Sequence, residues 1–237
     1  PICTLQSIMA DVNEKVVVLE NKNAQDPVLQ LDYSIKHPLH NTWTLWFDNP
    51  GRKNSAQNWA QNLKEVFSFS TVEDFWSSWS NITKVTRLDV GSNCFVFKKG
   101  IRPEWEDPIN ENGGKFSVQF QRTKQMGEAV NQLWLNAILA CIGEQFKLED
   151  EICGVVLSVR KSFFRLAVWT KSADNRDLAE ALGKEIKEVL ELEEATVEFM
   201  PHGDQATKPE LLERFTVGEP PKEEGEGDEE VEQSESA

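Results

Sequence analysis

Side chains that alternate between apolar and polar predict short β-strands along the middle of the chain. In residues 42–47 every second side chain, from Trp43 to Phe47, is large and apolar, and Asp48-Asn-Pro-Gly51 follows as a turn. Residues 214–217 are predicted to end the fold. Similar patterns predict further strands at residues 93–98, 115–122, 152–160, 164–170 and 195–200.

Three helices are predicted, and two of them have the ordinary single apolar stripe. The first opens on Thr71-Val-Glu-Asp74, typical of a capping box in which the Thr hydroxyl and the Asp carboxylate satisfy end donors. The third, residues 176–192, has one apolar stripe and a charged outer side. The stripe of the first helix follows helical spacing: Val72, Phe75, Trp76 and Trp79.

The second predicted helix, residues 128–142, is apolar around much of its girth. One apolar face runs from Val130 to Cys141. A helix with two apolar faces is either fully buried or keeps one face for a partner. The second face is formed by Leu135, Leu139 and Ile142.

Residues 152–160 and 164–170 are predicted to form a hairpin. If Arg160 pairs with Arg165 across the loop, both cations share one face of the sheet with Trp169. Two like charges side by side are unfavourable unless an anion lies between them. Two solvated surface arginines are the alternative.

The pair Trp105-Glu106, within residues 101–107, is suited to a flat, positively charged base. An indole face attracts a cationic ring, and a carboxylate accepts hydrogen bonds from the edge of a base. Alone, the pair is a weak signal, because a half-buried ring beside a solvated acid is common.

Composition and charge limit the possible functions. The 237 residues suffice for one sizeable core or two small ones, and eight Trp against one Tyr favours contact roles for some indoles. A net charge of −15 argues against a general nucleic-acid binder. Residues 219–237 hold nine acids and one lysine, or −8, so the rest carries only −7 and a basic pocket remains possible.

The cysteines and histidines are scattered, which favours a reduced compartment without structural zinc; no cofactor is expected. No apolar run approaches a membrane span, and residues 1–9 lack the pattern of a signal peptide, with Met9 an alternative start. No serine or cysteine triad is visible. Glu104, Glu106 and Asp107 lack the repeated carboxylate spacing that a metal-dependent hydrolase needs.

A series of motifs, in order along residues 37–217, resembles the eukaryotic translation initiation factor 4E family, which binds the 7-methylguanosine cap of messenger RNA. The resemblance implies a non-enzymatic, monomeric α+β protein: a single domain with a curved antiparallel β-sheet of about eight strands and three long helices on its convex face. The cap would lie on the concave face. The motifs are His37-Pro-Leu, Trp43-Thr-Leu-Trp-Phe47, Thr71-Val-Glu-Asp-Phe-Trp76, Gly100-Ile-Arg-Pro-Glu-Trp-Glu-Asp107, Trp134-Leu135, Cys141-Ile-Gly-Glu144, Cys153-Gly154 and Ser158-Val-Arg160.

The resemblance also implies which residues hold the cap. Trp59 and Trp105 would sandwich the methylated base, Glu106 would accept from its N1–H and amine, and Trp169 would touch the methyl group. Both sandwich positions are Trp, as in members that support general translation. The implied ligands of the phosphates are Arg160, Arg165, Lys208 and Lys115.

A second implied surface, on the convex side, would hold the helical Tyr-x-x-x-x-Leu-hydrophobic motif of initiation factor 4G or of 4E-binding proteins. Asn136 stands where many members have an acid, and Ser162 and Lys115 also depart from the usual residues. Asn136 and the acidic tail leave open a cap-binding repressor, or a specialised variant with a different partner. The implied partner-binding residues are His37, Pro38, Val72, Trp76, Leu135, Asn136 and Leu139.

The predicted organisation is a flexible arm over residues 1–32, a cap-binding domain over 33–217 and a disordered acidic tail over 218–237. We further hypothesise that the tail competes with RNA for the basic mouth of the pocket. The expected location is the cytoplasm, with the nucleus left open as a second site.

Overall fold

An eight-stranded antiparallel sheet forms the centre of the protein. The computed structural model describes residues 35–48, 62–203, 208 and 210–219. The strand order is β2-β1-β3-β5-β6-β4-β7-β8. The strands are β1 Pro38–Asp48, β2 Lys64–Thr71, β3 Asn93–Lys98, β4 Gly114–Gln121, β5 Ile152–Val159, β6 Phe163–Thr170, β7 Glu198–Pro201 and β8 Phe215–Thr216.

Three α-helices lie among the described residues: α1 Val72–Trp79, α2 Lys124–Ile142 and α3 Arg176–Val189. Each begins after a polar side chain that accepts a backbone N–H of the first turn, as helix ends require. Thr71 Oγ1 accepts from the N–H of Asp74 at 3.2 Å, which confirms its predicted capping role. Helix α1 has only two turns, so only the other two are long.

Helix α2 begins four residues earlier than the apolar pattern predicts. Its first turn, residues 124–127, has Met126 as its one large apolar side chain, which is too little to show a helical period, and the start is set by the cap instead. Thr123 accepts from the N–H of Met126 at 3.2 Å. The third helix, conversely, ends at Val189 rather than at 192.

The helices cover one face of the sheet and form the main core with it. Trp43, Phe116 and Leu157 of the sheet are buried in the same cluster as Trp134 and Ile138 of α2. This confirms the predicted fold, a single α+β domain with helices on the convex face. The opposite face carries a smaller apolar cluster: Leu63, Phe95, Phe97, Ile101, Cys153, Val156 and Ala167, with Trp46 and Trp169 partly buried against it.

The hairpin of β5 and β6 corrects one predicted contact. Arg165 lies opposite Ser158, not Arg160. The backbone N–H of Arg160 donates to Phe163 O at 2.9 Å, so the loop consists only of residues 161 and 162. Because side chains alternate, Arg160 still lies on the same face as Ser158, diagonal to Arg165.

Several predictions concern residues outside the described ranges: the arm over residues 1–32, Trp59, and all but the first two residues of the tail. Among the described residues, no helix combines the length and hydropathy needed to span a membrane.

Candidate functional site

The uncovered face of the sheet brings Trp169 together with a cation and an apolar floor. In the strand register, Trp169 lies opposite Lys115 on one side and Gly154 on the other. A Cβ at Gly154 would come within 2.5 Å of the Phe97 ring, so glycine there lets the two neighbouring rings meet. The Phe97 and Trp169 rings make an edge-to-face contact at 5.5 Å.

Trp169 also contacts His202, a residue that sequence reasoning missed. The two ring centroids are 4.1 Å apart, and His202 Nδ1 is 2.9 Å from Asn110 O. Burial lowers the pKa of His202 to about 4, so the ring is neutral at pH 7 and Nδ1–H is the donor to that carbonyl. No local pattern marks this pairing, since Asn110 and His202 are far apart in the sequence.

The loop between β3 and β4 carries Trp105, and side chains of this loop form hydrogen bonds with its own backbone groups. The Asp107 carboxylate accepts from the N–H groups of Arg102 and Ile109, each at 2.9 Å. The Asn110 amide donates to Arg102 O at 2.8 Å and to Glu104 O at 2.9 Å. The sequence signal that could have found this frame is Asp-Pro-x-Asn, a set of turn residues that bond to nearby backbone.

The indole of Trp105 is 54% exposed at the tip of this frame. Glu106 is exposed beside it and forms no hydrogen bond or ion pair within the described part of the chain. A half-buried indole beside an acid would have been the ordinary alternative. An exposed indole on a braced loop is instead typical of a contact residue.

The predicted phosphate ligands form a group of mutually repelling cations. Burial, followed by the charge of Arg165, lowers the pKa values of both Arg160 and Lys115. Arg165 itself stacks over the Phe163 ring at 5.2 Å, and its buried Nε has no acceptor among the described residues. The arginines are half-buried rather than freely solvated surface residues, so a bound anion would relieve both the repulsion and the missing hydrogen bond.

Lys208 lies apart from these strands, on the loop between β7 and β8. Its Nζ donates to Glu111 O at 3.0 Å and to Asn112 Oδ1 at 2.8 Å. The side chain is therefore fastened to the same loop that carries Trp105, and not to the arginines.

On the opposite side of the molecule, the predicted partner-binding residues gather around α1 and α2. The N–H and Nδ1 of His37 bond to the Glu73 carboxylate at 2.8 and 2.6 Å, which anchors the start of β1 on α1. Val72 and Leu139 are buried, at 7% and 6% exposure, and can only form the floor of a patch. Pro38 is exposed at the start of β1, and Trp76 and Leu135 are partly exposed.

Of the two interpretations open for α2, burial accounts for most of its second apolar face. Leu139 and Ile142 are buried, whereas Leu135 remains partly exposed. Asn136 beside it accepts a hydrogen bond from Gln132 Nε2 at 2.7 Å.

These features define a class: an α+β domain with one sheet face covered by helices and the other presenting aromatic and cationic side chains. The chain belongs to the eukaryotic initiation factor 4E family, because the sequence model described as "Eukaryotic initiation factor 4E" matches residues 38–214.

Relatives and solved structures agree with this assignment. The eukaryotic translation initiation factor 4E-1 of Oryza sativa is 40% identical over 209 residues, covering 88% of this chain and 89% of the rice protein. The factor 4E of Candida albicans is 41% identical over 179 residues, covering 75% and 85%. Ascaris suum eIF4E-3, solved with an m2,2,7G cap, superimposes with a TM-score of 0.66 at 34% identity, covering 71% and 93%.

Proposed function

We propose that this protein binds the 7-methylguanosine cap of messenger RNA without transforming it, and recruits the scaffold initiation factor 4G through its helix-covered face. The observation that carries the cap assignment is the exposed Trp105-Glu106 pair on a braced loop. The sheet face of the same domain also gathers cations that have no salt-bridge partner within the described ranges. One surface suits a cationic aromatic ring and the other suits phosphates.

Methylation of guanine at N7 spreads a positive charge over the purine. Trp105 would stack on one side of that ring and Trp59, which lies outside the described residues, on the other. Stacking contributes about 1–3 kcal/mol per base, and cation–π attraction contributes about 1–2 kcal/mol when the ring is desolvated. Glu106 would accept from N1–H and the exocyclic amine, a donor pair that guanine offers and adenine does not.

Trp169 would lie against the methyl group, and its contacts suit a fixed wall. The ring packs against both Phe97 and the neutral His202. Arg160, Arg165 and Lys115 would share the phosphate chain, and Lys208 would reach it from the Trp105 loop. Sharing a polyanion removes the repulsion that these cations feel without ligand.

The partner surface would hold a helical Tyr-x-x-x-x-Leu-hydrophobic motif. Trp76 and Leu135 offer exposed apolar area above a buried floor of Val72 and Leu139. Two solved relatives support a partner of this kind: one Caenorhabditis elegans eIF4E-3 structure contains the 4E-binding protein Mextli and a cap analog, and a schistosome eIF4E contains m7GpppA and 4E-BP.

A repressor that binds the cap but not initiation factor 4G is the second candidate. Asn136 favours it, because an amide cannot form the ion pair that an acid would offer a basic residue of the motif. A cap-hydrolysing enzyme is disfavoured, since Glu104 pairs with Arg102 at 2.6 Å and Asp107 accepts two loop N–H groups. Within the described ranges, no three His, Cys, Asp or Glu residues are grouped as metal ligands.

Calorimetric titration with m7GTP and with GTP tests the cap assignment. The parent protein should bind m7GTP much more tightly, and Trp105→Ala should weaken m7GTP binding at least tenfold through the lost stacking. Val66→Ala is a matched control, because Val66 is 52% exposed but lies on β2, away from the loop. Equal affinity of the parent for m7GTP and GTP would contradict the proposal.

A further inference from the structure

Arg160 is bonded to a short polar chain formed by Asn93 and Asp48. Its Nη2 donates to Asn93 Oδ1 at 2.8 Å, and Asn93 Nδ2 donates to Asp48 Oδ2 at 3.1 Å. Asp48 and Asn93 are partners in the β1–β3 register, and Asn93 lies opposite Ser158 in β5. Asp48 is fully buried and Asn93 is nearly so, which makes these two side chains part of the protein interior and not a surface contact.

The chemistry of the three groups fixes the direction of the chain. An ionised carboxylate only accepts hydrogen bonds, so Asp48 takes the NH2 end of the Asn93 amide. The carbonyl end is then left for the guanidinium, which only donates. Asp48 therefore determines which end of Asn93 faces Arg160.

The remaining contacts of Arg160 determine which of its donors are left for a ligand. Its Nη1 donates to Val159 O at 3.0 Å and to Ser92 O at 3.3 Å, which accounts for both N–H bonds of that nitrogen. With one Nη2–H on Asn93, two of the five donors have no acceptor among the residues that the structure describes: Nε–H and the second Nη2–H. These nitrogens form one edge of the guanidinium plane, the fork that binds two oxygens of a phosphate side by side.

We propose that Asn93, oriented by Asp48, is a positioning residue that presents the Nε and Nη2 edge of Arg160 to the phosphates of the cap. The inference rests on the proposed function, because it assigns a ligand to that edge. Holding the guanidinium in place before binding removes the entropic cost of ordering a long side chain.

An amide suits this position better than a carboxylate would. A carboxylate in direct contact with Arg160 would offset the positive charge that attracts the phosphates. An amide orients the guanidinium without carrying charge, and the carboxylate of Asp48 is kept one residue further away. Its charge still reaches Arg160, since Asp48 partly offsets the lowering of the Arg160 pKa by burial and by Arg165.

The test compares m7GTP with the nucleoside 7-methylguanosine, which has no phosphates, in the parent, Asn93→Ala, Arg160→Ala and the double variant. Asn93→Ala should weaken m7GTP binding about three- to tenfold, the range expected for one side chain no longer held in place. Binding of 7-methylguanosine should stay within about twofold, because the base pocket is not altered. In the Arg160→Ala background, Asn93→Ala should have no further effect on m7GTP.

Asn93→Ser tests the same point with a polar side chain, because its hydroxyl lies one bond short of the two amide atoms that contact Arg160 and Asp48. It should weaken m7GTP binding as Asn93→Ala does. Asn131→Ala is the matched control: Asn131 is a half-buried, hydrogen-bonded asparagine on α2. Equal losses for both ligands, or full additivity of the two alanine variants, would overturn the assignment. A parent that binds both ligands equally would instead contradict phosphate recognition in the proposed function itself.

Discussion

At the scale of single residues, the site depends on polar groups that are satisfied by their neighbours. Asp107 and Asn110 bond the backbone of the loop that carries Trp105, so the indole can remain exposed without loosening the loop. Trp169 is fixed by a neutral histidine and a phenylalanine. The contact surfaces are therefore built before any ligand binds.

His202 makes the stability of the protein depend on pH. Its pKa of about 4 in the folded protein lies below the value of about 6.5 for an unfolded histidine. The unfolded chain thus takes up this proton first, and stability falls as the pH decreases from about 6.5 to about 4. The contribution amounts to about 2 kcal/mol by pH 5.

Urea unfolding at pH 7 and pH 5, in the parent and in His202→Gln, measures this contribution. The variant should lose less stability between the two pH values, because glutamine does not titrate. If both proteins lose the same amount, another group is responsible for the acid sensitivity.

At the scale of elements, the cap of α1 supports the partner surface. Thr71→Ala removes the acceptor for the Asp74 N–H and should lower the free energy of unfolding by about 1 kcal/mol. Chemical denaturation measures the loss. Ser70→Ala, at the exposed neighbouring position, should change the free energy by less than about 0.5 kcal/mol; comparable losses in both variants would contradict the capping role.

Helix α2 carries Asn136 on the proposed partner surface. Asn136→Asp should tighten binding of a Tyr-x-x-x-x-Leu-hydrophobic peptide that has a basic residue facing position 136. The gain should be about two- to fivefold, the range for an exposed ion pair, and should fall with added salt. A peptide in which the basic residue is replaced by alanine is the control, and an equal gain for that peptide would rule out an ion pair.

The sequence predicts most elements to within a few residues, and the errors have physical causes. Strand β3 has the bounds that the sequence predicts, because alternate side chains along it pack into two different buried clusters. The hairpin register was mispredicted because residues 161 and 162 contain neither glycine nor asparagine, the usual signals of a two-residue turn. The first turn of α2 was missed because its single large apolar side chain, Met126, does not reveal a helical period.

The sequence predicted site residues only where they are close to one another along the chain. The motif identified Trp105-Glu106, and the period of the hairpin strands identified Arg160, Arg165 and Trp169. The partners that hold them could not, because each comes from a distant strand or loop. Asn93 and Asp48 behind Arg160, and His202 behind Trp169, emerge only once the sheet is assembled.

At the scale of the whole molecule, charge is divided between the acidic C-terminal segment and the cationic sheet face. Residues 220–237 hold eight acidic residues and one lysine, whereas the sheet face gathers cations. If this segment competes with phosphates for those cations, its removal should raise m7GTP affinity about two- to fivefold at low salt. The gain should vanish near 0.5 M salt, where such interactions are screened.

A chain of equal length in which these acids are replaced by glutamine or asparagine separates charge from bulk. It should behave like the truncated protein. An m7GTP affinity that does not change on truncation at low salt would eliminate the competition.

In the proposed function, selectivity for the methylated cap comes from two indoles and one acid that accept guanine only after methylation has made it cationic. Quenching of tryptophan fluorescence by m7GTP and by GTP, in the parent and in Glu106→Gln, tests it most directly. We predict strong quenching by m7GTP, weak quenching by GTP, and loss of most m7GTP binding in the variant, because the amide offers only one acceptor to two donors. Equal quenching by both nucleotides, or an unchanged affinity in Glu106→Gln, would contradict the claim.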